Sequence, residues 1–186
     1  MKDLDGVIPL IPTPFNKKGS VDAEGLKSLI DFEFDNNCDG VGVLGGIGEG
    51  YHMSREDWAK TVKLAVNIVN SRGPLVVGCA AMGTTSAVEM IKQSADLGAD
   101  AILSFNPLAF RRYTVEETYR HFKAQAEASD LALIPYARED DPIAKLLFQL
   151  RQVHARTGML DRVQHIHAAV ENLLQQRSDR AIGVIG

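Results

Sequence analysis

Along the first 140 residues, short apolar runs alternate with stretches whose apolar residues recur at helical spacing. Val7 to Ile11 is an apolar run closed by Pro12-Thr13-Pro14, and a helix is expected from Asp22 to Asn36, with Leu26, Leu29, Ile30 and Phe34 on one face. Gly40 to Leu44 reads as a second strand. Ser54 is placed to cap a helix, with Asp57 three residues on, and Trp58, Val62, Ala65, Val66 and Val69 line its buried face as far as Gly73-Pro74. Leu75 to Cys79 is the third strand. Thr84 or Thr85 is expected to cap a helix running to Leu97 and stopped by Gly98, after which Ala101 to Phe105 forms the fourth strand. A helix from about Val115 to Ser129 and a fifth strand, Leu131 to Tyr136, complete the pattern. Strands that alternate with helices through short connections imply a parallel sheet, whose function lies in the loops after its strands.

Among those loops, Gly45-Gly46-Ile47-Gly48-Glu49-Gly50 stands out, because it follows the apolar run Val41-Gly42-Val43-Leu44 directly. Glycines at the carboxyl end of a buried strand let backbone N–H groups come close to an anion. The loop is not a dinucleotide fingerprint: Gly46-Ile47-Gly48-Glu49-Gly50 lacks the required glycine spacing, and no acidic residue ends a second strand about twenty residues on.

Composition narrows the partners. The chain has 186 residues, 45% hydrophobic and 24% charged, with a net charge of -4, which gives no reason to expect nucleic acid or an anionic membrane. Cys38 and Cys79 lack metal-ligand spacing and read as buried thiols of a reducing compartment. The first residues are charged, and Gly6 to Leu10 is too short for a signal or a span, so a cytoplasmic location is expected. Neither a metal nor a cofactor is expected.

The motifs together resemble the pyruvate-dependent class I aldolases and lyases, the family of dihydrodipicolinate synthase and N-acetylneuraminate lyase. The resemblance covers about residues 5 to 140. It rests on Gly6 to Phe15 with Gly19-Ser20-Val21-Asp22, on Gly45 to Glu49, on Gly98-Ala99-Asp100-Ala101, on Tyr119-Arg120-His121-Phe122 and on Ile134-Pro135-Tyr136, in the family's order. It implies an eight-stranded βα barrel and a reaction through a Schiff base between a lysine and a 2-oxo acid. Tyr136 aligns with the tyrosine that relays protons beside that Schiff base, a role suited to a phenol that both donates and accepts. Gly45, Gly46, Ile47, Gly48 and Glu49 align with the loop that binds the substrate carboxylate.

Carried over residue by residue, the match is uneven. Gly46 and Ile47 stand where many members place a hydroxyl pair, so only backbone N–H groups are left for the carboxylate. That start to the loop, with Tyr136-Ala137-Arg138-Glu139, is similar to the sugar-acid branch, such as 5-dehydro-4-deoxyglucarate dehydratase. Asn106 to Phe110 replaces a segment that carries tyrosines in the synthase branch, where Leu108 and Ala109 cannot relay protons, and Arg111 and Arg112 in the next loop read as solvated or as partners of a substrate carboxylate. Glu49 reads as a residue that orders the loop through backbone N–H groups at a helix start.

Beyond residue 140 the composition changes. Residues 1 to 140 carry 14 basic against 20 acidic side chains, whereas 141 to 186 carry 6 against 4. The tail holds Lys145 as its one lysine, with His154, His165 and His167, and reads as a helical hairpin ending in a short strand, Ala181 to Ile185. Laid on the family's sixth strand, that segment places Ile185 at the Schiff-base position, and isoleucine forms no imine. Lys145 falls in a helical pattern, Arg156-Thr157-Gly158 only echoes a carboxylate-binding motif, and the histidines read as solvated.

A complete barrel of this type needs roughly 250 residues. The expected fold is therefore α/β: an incomplete (β/α)8 barrel of about five βα units over 1–140, with the helical segment 141–186 packed on it and unpaired edges that favour a homo-oligomer. Two functions follow. One is a lyase, aldolase or dehydratase acting on a pyruvate-like or 2-keto-3-deoxy sugar acid, impaired for want of an identifiable lysine. The other is a truncated or frame-disrupted, non-catalytic chain that binds ligand or itself.

Overall fold

The computed structural model describes residues 4–107 and 113–136. The chain divides into two compact units, Met1–Phe110 with Phe122–Tyr136, and Arg111–His121 with Ala137–Gly186. Within the first unit, four strands form one parallel sheet: β1 (Val41–Val43), β2 (Leu75–Cys79), β3 (Ala101–Phe105) and β4 (Ala132–Tyr136). Their spatial order is their chain order, β1-β2-β3-β4. A doubly wound sheet reverses its order at a switch point, whereas the wall of a singly wound barrel runs on monotonically. This sheet runs on.

Helix α1 (Ala23–Asp35) starts where the Asp22 carboxylate accepts the Gly25 N–H, and its Leu26 and Ile30 are buried. Helix α2 (Arg55–Val69) has the expected cap, with the Ser54 hydroxyl accepting the Asp57 N–H at 3.1 Å. It ends one turn before Gly73 because Asn70 adopts the left-handed conformation, which asparagine tolerates. Helix α3 (Thr84–Leu97) departs from expectation at its start: Gly83 is the capping residue, no side chain caps it, and Thr84 is already helical. Its stop is as expected, with Gly98 left-handed at φ 97°. Helix α4 (Val115–Ala126) ends short of Ser129 and opens on a capping box, Thr114 accepting from the Glu117 N–H while Glu117 accepts from the Thr114 N–H at 2.9 Å.

The expected first strand is reduced to a single parallel bridge, Leu10 with Gly42. The Gly42 N–H donates to Pro9 and the Ile11 N–H to Gly42, so the register of a strand is present. Pro9, which faces β1 in that register, has no N–H to extend the ladder. Pro135 sits in β4 without such a cost, since β4 has no further strand beyond it among the described residues.

Alternation along the strands separates two faces. Val41, Val43, Leu75, Val77, Cys79 and Ile102 join Leu26, Ile30, Trp58, Val62 and Ile91 from α1, α2 and α3 in the main core. On the opposite face the buried hydrophobic side chains among the described residues are Val76, Ala101 and Leu103, packed by Leu4, Ile8, Phe105 and Ala132. Leu10, Ile134 and Tyr136 remain exposed.

Candidate functional site

The carboxyl ends of all four strands lie along one edge, and the 45–50 loop leaves that edge at β1. Its geometry begins one residue earlier. Leu44, fully buried, takes a left-handed backbone with φ 59°, a conformation that costs a leucine about 1–3 kcal/mol. Up to that point the ladder is regular, with the Val41 N–H donating to the Pro74 carbonyl. The next donor of that ladder beyond the turn is Gly45, for which a regular strand would offer the Gly78 carbonyl. Its bond is not made: the Gly78 carbonyl instead accepts the Trp58 indole N–H at 3.2 Å.

Three glycines make room for the turn. A Cβ on Gly50 would stand 2.5 Å from the Leu44 carbonyl oxygen, one on Gly48 would stand 2.8 Å from the Leu44 nitrogen, and one on Gly78 would overlap the same carbonyl. Gly46 differs, for nothing lies within 4 Å of the place its Cβ would occupy. The Thr13 hydroxyl donates to the Gly48 carbonyl at 2.7 Å, tying the Pro12-Thr13-Pro14 segment to the loop. From the sequence that segment reads only as a strand end, and the threonine between two prolines is the one signal of its second role.

In consequence, the N–H groups of Gly45, Gly46, Ile47 and Gly48 meet no protein acceptor among the described residues. Gly45 and Gly48 are buried, while Gly46 and Ile47 face solvent. Buried N–H groups are nearly always paired, so unspent donors on the buried Gly45 and Gly48 are unusual.

Glu49 does not act as expected. It is left-handed at φ 55° and precedes a three-residue 3-10 turn, Gly50–His52, without any side-chain capping bond. The loop is ordered instead through its main chain, the Glu49 N–H donating to Gly46 at 3.3 Å and its carbonyl accepting from His52 at 2.9 Å. Ile47 is 57% exposed and supplies the loop with an apolar rim.

Tyr136 ends β4 on the same edge. It is 48% exposed, is paired in register with Phe105, and packs on the Phe105 ring at 5.2 Å between centroids. Three strand spacings separate it from the β1 loop, roughly 14 Å along the sheet. The structure thus brings Tyr136 and the 45–49 loop to one edge, without contact. Leu108, Ala109, Arg111, Arg112, Lys145, the three tail histidines and Arg156-Thr157-Gly158 lie outside the described residues.

Beneath the edge, on the helix side, Cys79 lies against the Ser94 hydroxyl at 3.4 Å, and burial pushes its thiol up to about 12. Cys38 is only half-buried, less than expected, and its thiol donates to the Glu33 carboxylate at 3.4 Å. Among the described residues, no three acidic, histidine or cysteine side chains are placed to hold a metal, and no helix is long and apolar enough to cross a membrane.

Residues 3–180 match the model of the dihydrodipicolinate synthetase family. The chain belongs to that family. The match reaches well past residue 140, further than the motifs that first carried the resemblance. The 4-hydroxy-tetrahydrodipicolinate synthase of Syntrophus aciditrophicus is 34% identical over 131 residues, 70% of this chain and 44% of that relative. The enzyme of the same name from Herminiimonas arsenicoxydans is 30% identical over 183 residues, 96% of this chain and 62% of its own length. Among solved structures, the chloride-inhibited dihydrodipicolinate synthase of Acinetobacter baumannii, complexed with pyruvate, is 34% identical with a TM-score of 0.69, over 73% of this chain and 46% of that one. The chain therefore spans about half the length of the family relatives it matches. Its fold is an incomplete (β/α)8 barrel, with the helices outside and the sparsely buried sheet face as the barrel's inner wall.

Proposed function

We propose that this chain binds the carboxylate of a 2-oxo acid on the main-chain N–H groups of residues 45–48. The observation that carries the reading is the set of four unspent donors, two of them on buried glycines, at the carboxyl end of a barrel strand. The family's pyruvate-dependent chemistry and the pyruvate-complexed relative support a pyruvate-like ligand. The absence of hydroxyls at Gly46 and Ile47 favours a 2-keto-3-deoxy sugar acid, as in the dehydratase-like branch. Tyr136 is the proton relay.

Imine formation needs an amine at the site. Among the described residues every lysine sits on a helix or in the turn before Ser20, and none on a strand or strand end. That placement favours binding with lost or impaired catalysis, as in the non-catalytic reading of a truncated or frame-disrupted chain. Borohydride reduction in the presence of pyruvate or a 2-keto-3-deoxy sugar acid separates the two. Reversible binding with no mass increase is expected. A covalent adduct would instead establish an active lysine, and peptide mapping would show whether Lys145 carries it.

The same reading covers organisation. Residues 1–140 act as the barrel portion and 141–186 as an added helical segment, in a cytoplasmic homo-oligomer that sequesters the outer edge of β4. A monodisperse monomer in sedimentation velocity, at all concentrations, would overturn the assembly proposal.

A further inference from the structure

We infer that Leu44 is a positioning residue: its left-handed turn, rather than its side chain, places the loop N–H groups for an anion. The inference rests on the carboxylate reading above and deepens it. Glycine-rich loops at anion sites are ordinarily explained by the approach of ligand to backbone. Here the steric facts assign the glycines differently. Gly48, Gly50 and Gly78 are each pressed against Leu44 backbone atoms, and Gly78 belongs to the neighbouring strand rather than the loop. Gly46, the loop glycine with open space around it, presses on nothing.

These contacts over-determine one conformation. The Leu44 carbonyl is hemmed by Gly50 and Gly78, its nitrogen by Gly48, and its side chain is fully buried in the main core. Strain of this kind persists only where surroundings enforce it, and it collects at sites where geometry matters. Its local effect is plain. The turn takes Gly45 out of register with Gly78, and the Trp58 indole takes the carbonyl that Gly45 would have used. A regular strand would have consumed that donor. The left-handed turn leaves it free together with the three that follow.

The two roles open to Leu44, packing and turn-forming, respond oppositely to substitution. Leu44→Gly empties part of the core but adopts φ > 0 freely, whereas Leu44→Ile keeps the apolar volume while its branched Cβ opposes φ > 0. Pyruvate is titrated into the nitrogen-15-labelled full chain and the amide signals of residues 45–48 are followed, with melting temperatures measured alongside. For Leu44→Gly, a lowered melting temperature is expected, with affinity within roughly threefold of the parent. For Leu44→Ile, a melting temperature nearer the parent is expected, with affinity weaker by about tenfold or more. Leu44→Asn, which also tolerates φ > 0, replaces the glycine variant if that one does not fold. Affinity that follows melting temperature across the variants, or that is unchanged in Leu44→Ile, would overturn the inference. If pyruvate moves no loop amide in the parent chain, the carboxylate reading itself fails and the positioning role falls with it; a loss seen only among the variants concerns Leu44 alone.

Discussion

The two faces of the sheet do different work. On the helix side, Trp58, Leu26, Ile30, Val62, Val77 and Ile102, from two helices and two strands, are all but inaccessible. On the inner side, Val76, Ala101 and Leu103 are the only buried hydrophobics among the described residues, and Leu10, Ile134 and Tyr136 stand open. Stability therefore concentrates where the helices lie, while the loop and the phenol of the proposed site look out from the edge of the lightly packed face. An inner wall with little packing of its own can present chemistry without risking the core.

Truncation on the helix side is the strongest way to break that contrast. Trp58→Ala removes a buried ring and leaves the Gly78 carbonyl without its donor, so a loss of about 3–5 kcal/mol is expected in denaturant unfolding. A loss below 1 kcal/mol would mean that the helix face is not the stabilising one. Ile30→Ala is expected to cost about 2–5 kcal/mol, and Leu103→Ala, packed from one side by fewer partners, at least about 1 kcal/mol less. Equal costs would erase the difference between the faces.

The thiol at Cys79 sharpens the comparison through pH. Its folded pKa of about 12 lies above the ordinary 9.0 because burial disfavours the thiolate. The folded chain thus keeps a proton that the unfolded chain releases. The stability associated with this group is complete below pH 9.0 and is lost as pH rises from there toward 12. Urea midpoints measured across that window should fall more steeply for the parent than for Cys79→Ala. Identical slopes would mean that water reaches the helix side at the end of β2.

Ser54→Ala is a smaller perturbation on the same side. The hydroxyl caps α2, the helix that carries Trp58, and its removal is expected to cost about 1 kcal/mol. Loop signals at residues 45–48 should stay in place, because the cap acts on helix stability and not on the Leu44 turn.

What sequence reveals about this molecule follows the same division. The bounds of β2 and β3 are legible because continuous apolar runs, set off by Pro74 and by Gly98-Ala99-Asp100, suit strands covered by helices. The Ser54 cap and the Gly98 stop are legible because each is a local backbone requirement. Val7 to Ile11 looks like a strand by hydrophobicity but loses a ladder donor to Pro9. The capping box of Thr114 and Glu117 is legible from its three-residue spacing alone. Leu44 is another matter: leucine has no preference for the left-handed region, and the close approach of Gly48, Gly50 and, from another strand, Gly78 shows why the chain turns there. The site's loop was visible as glycines. The reason for the glycines was tertiary. Glu49 misled for a related cause, since its place before a helix start suggested a cap that the left-handed backbone does not allow it to make.

The gentlest test lies on the inner face itself. Ile134 occupies β4 with 37% of its surface exposed, and threonine keeps the branched Cβ that suits a strand while replacing a methylene-bearing arm with a hydroxyl. If this face is as open in solution as in the single chain, Ile134→Thr should change stability by no more than about 0.5 kcal/mol. A cost above about 1.5 kcal/mol would mean that Ile134 is buried by something the single chain does not supply. Concentration then decides the cause. A penalty that shrinks on dilution of the parent identifies a second copy as the cover, whereas one that persists at every concentration places the cover within the chain and removes the contrast between the faces from which the site was read.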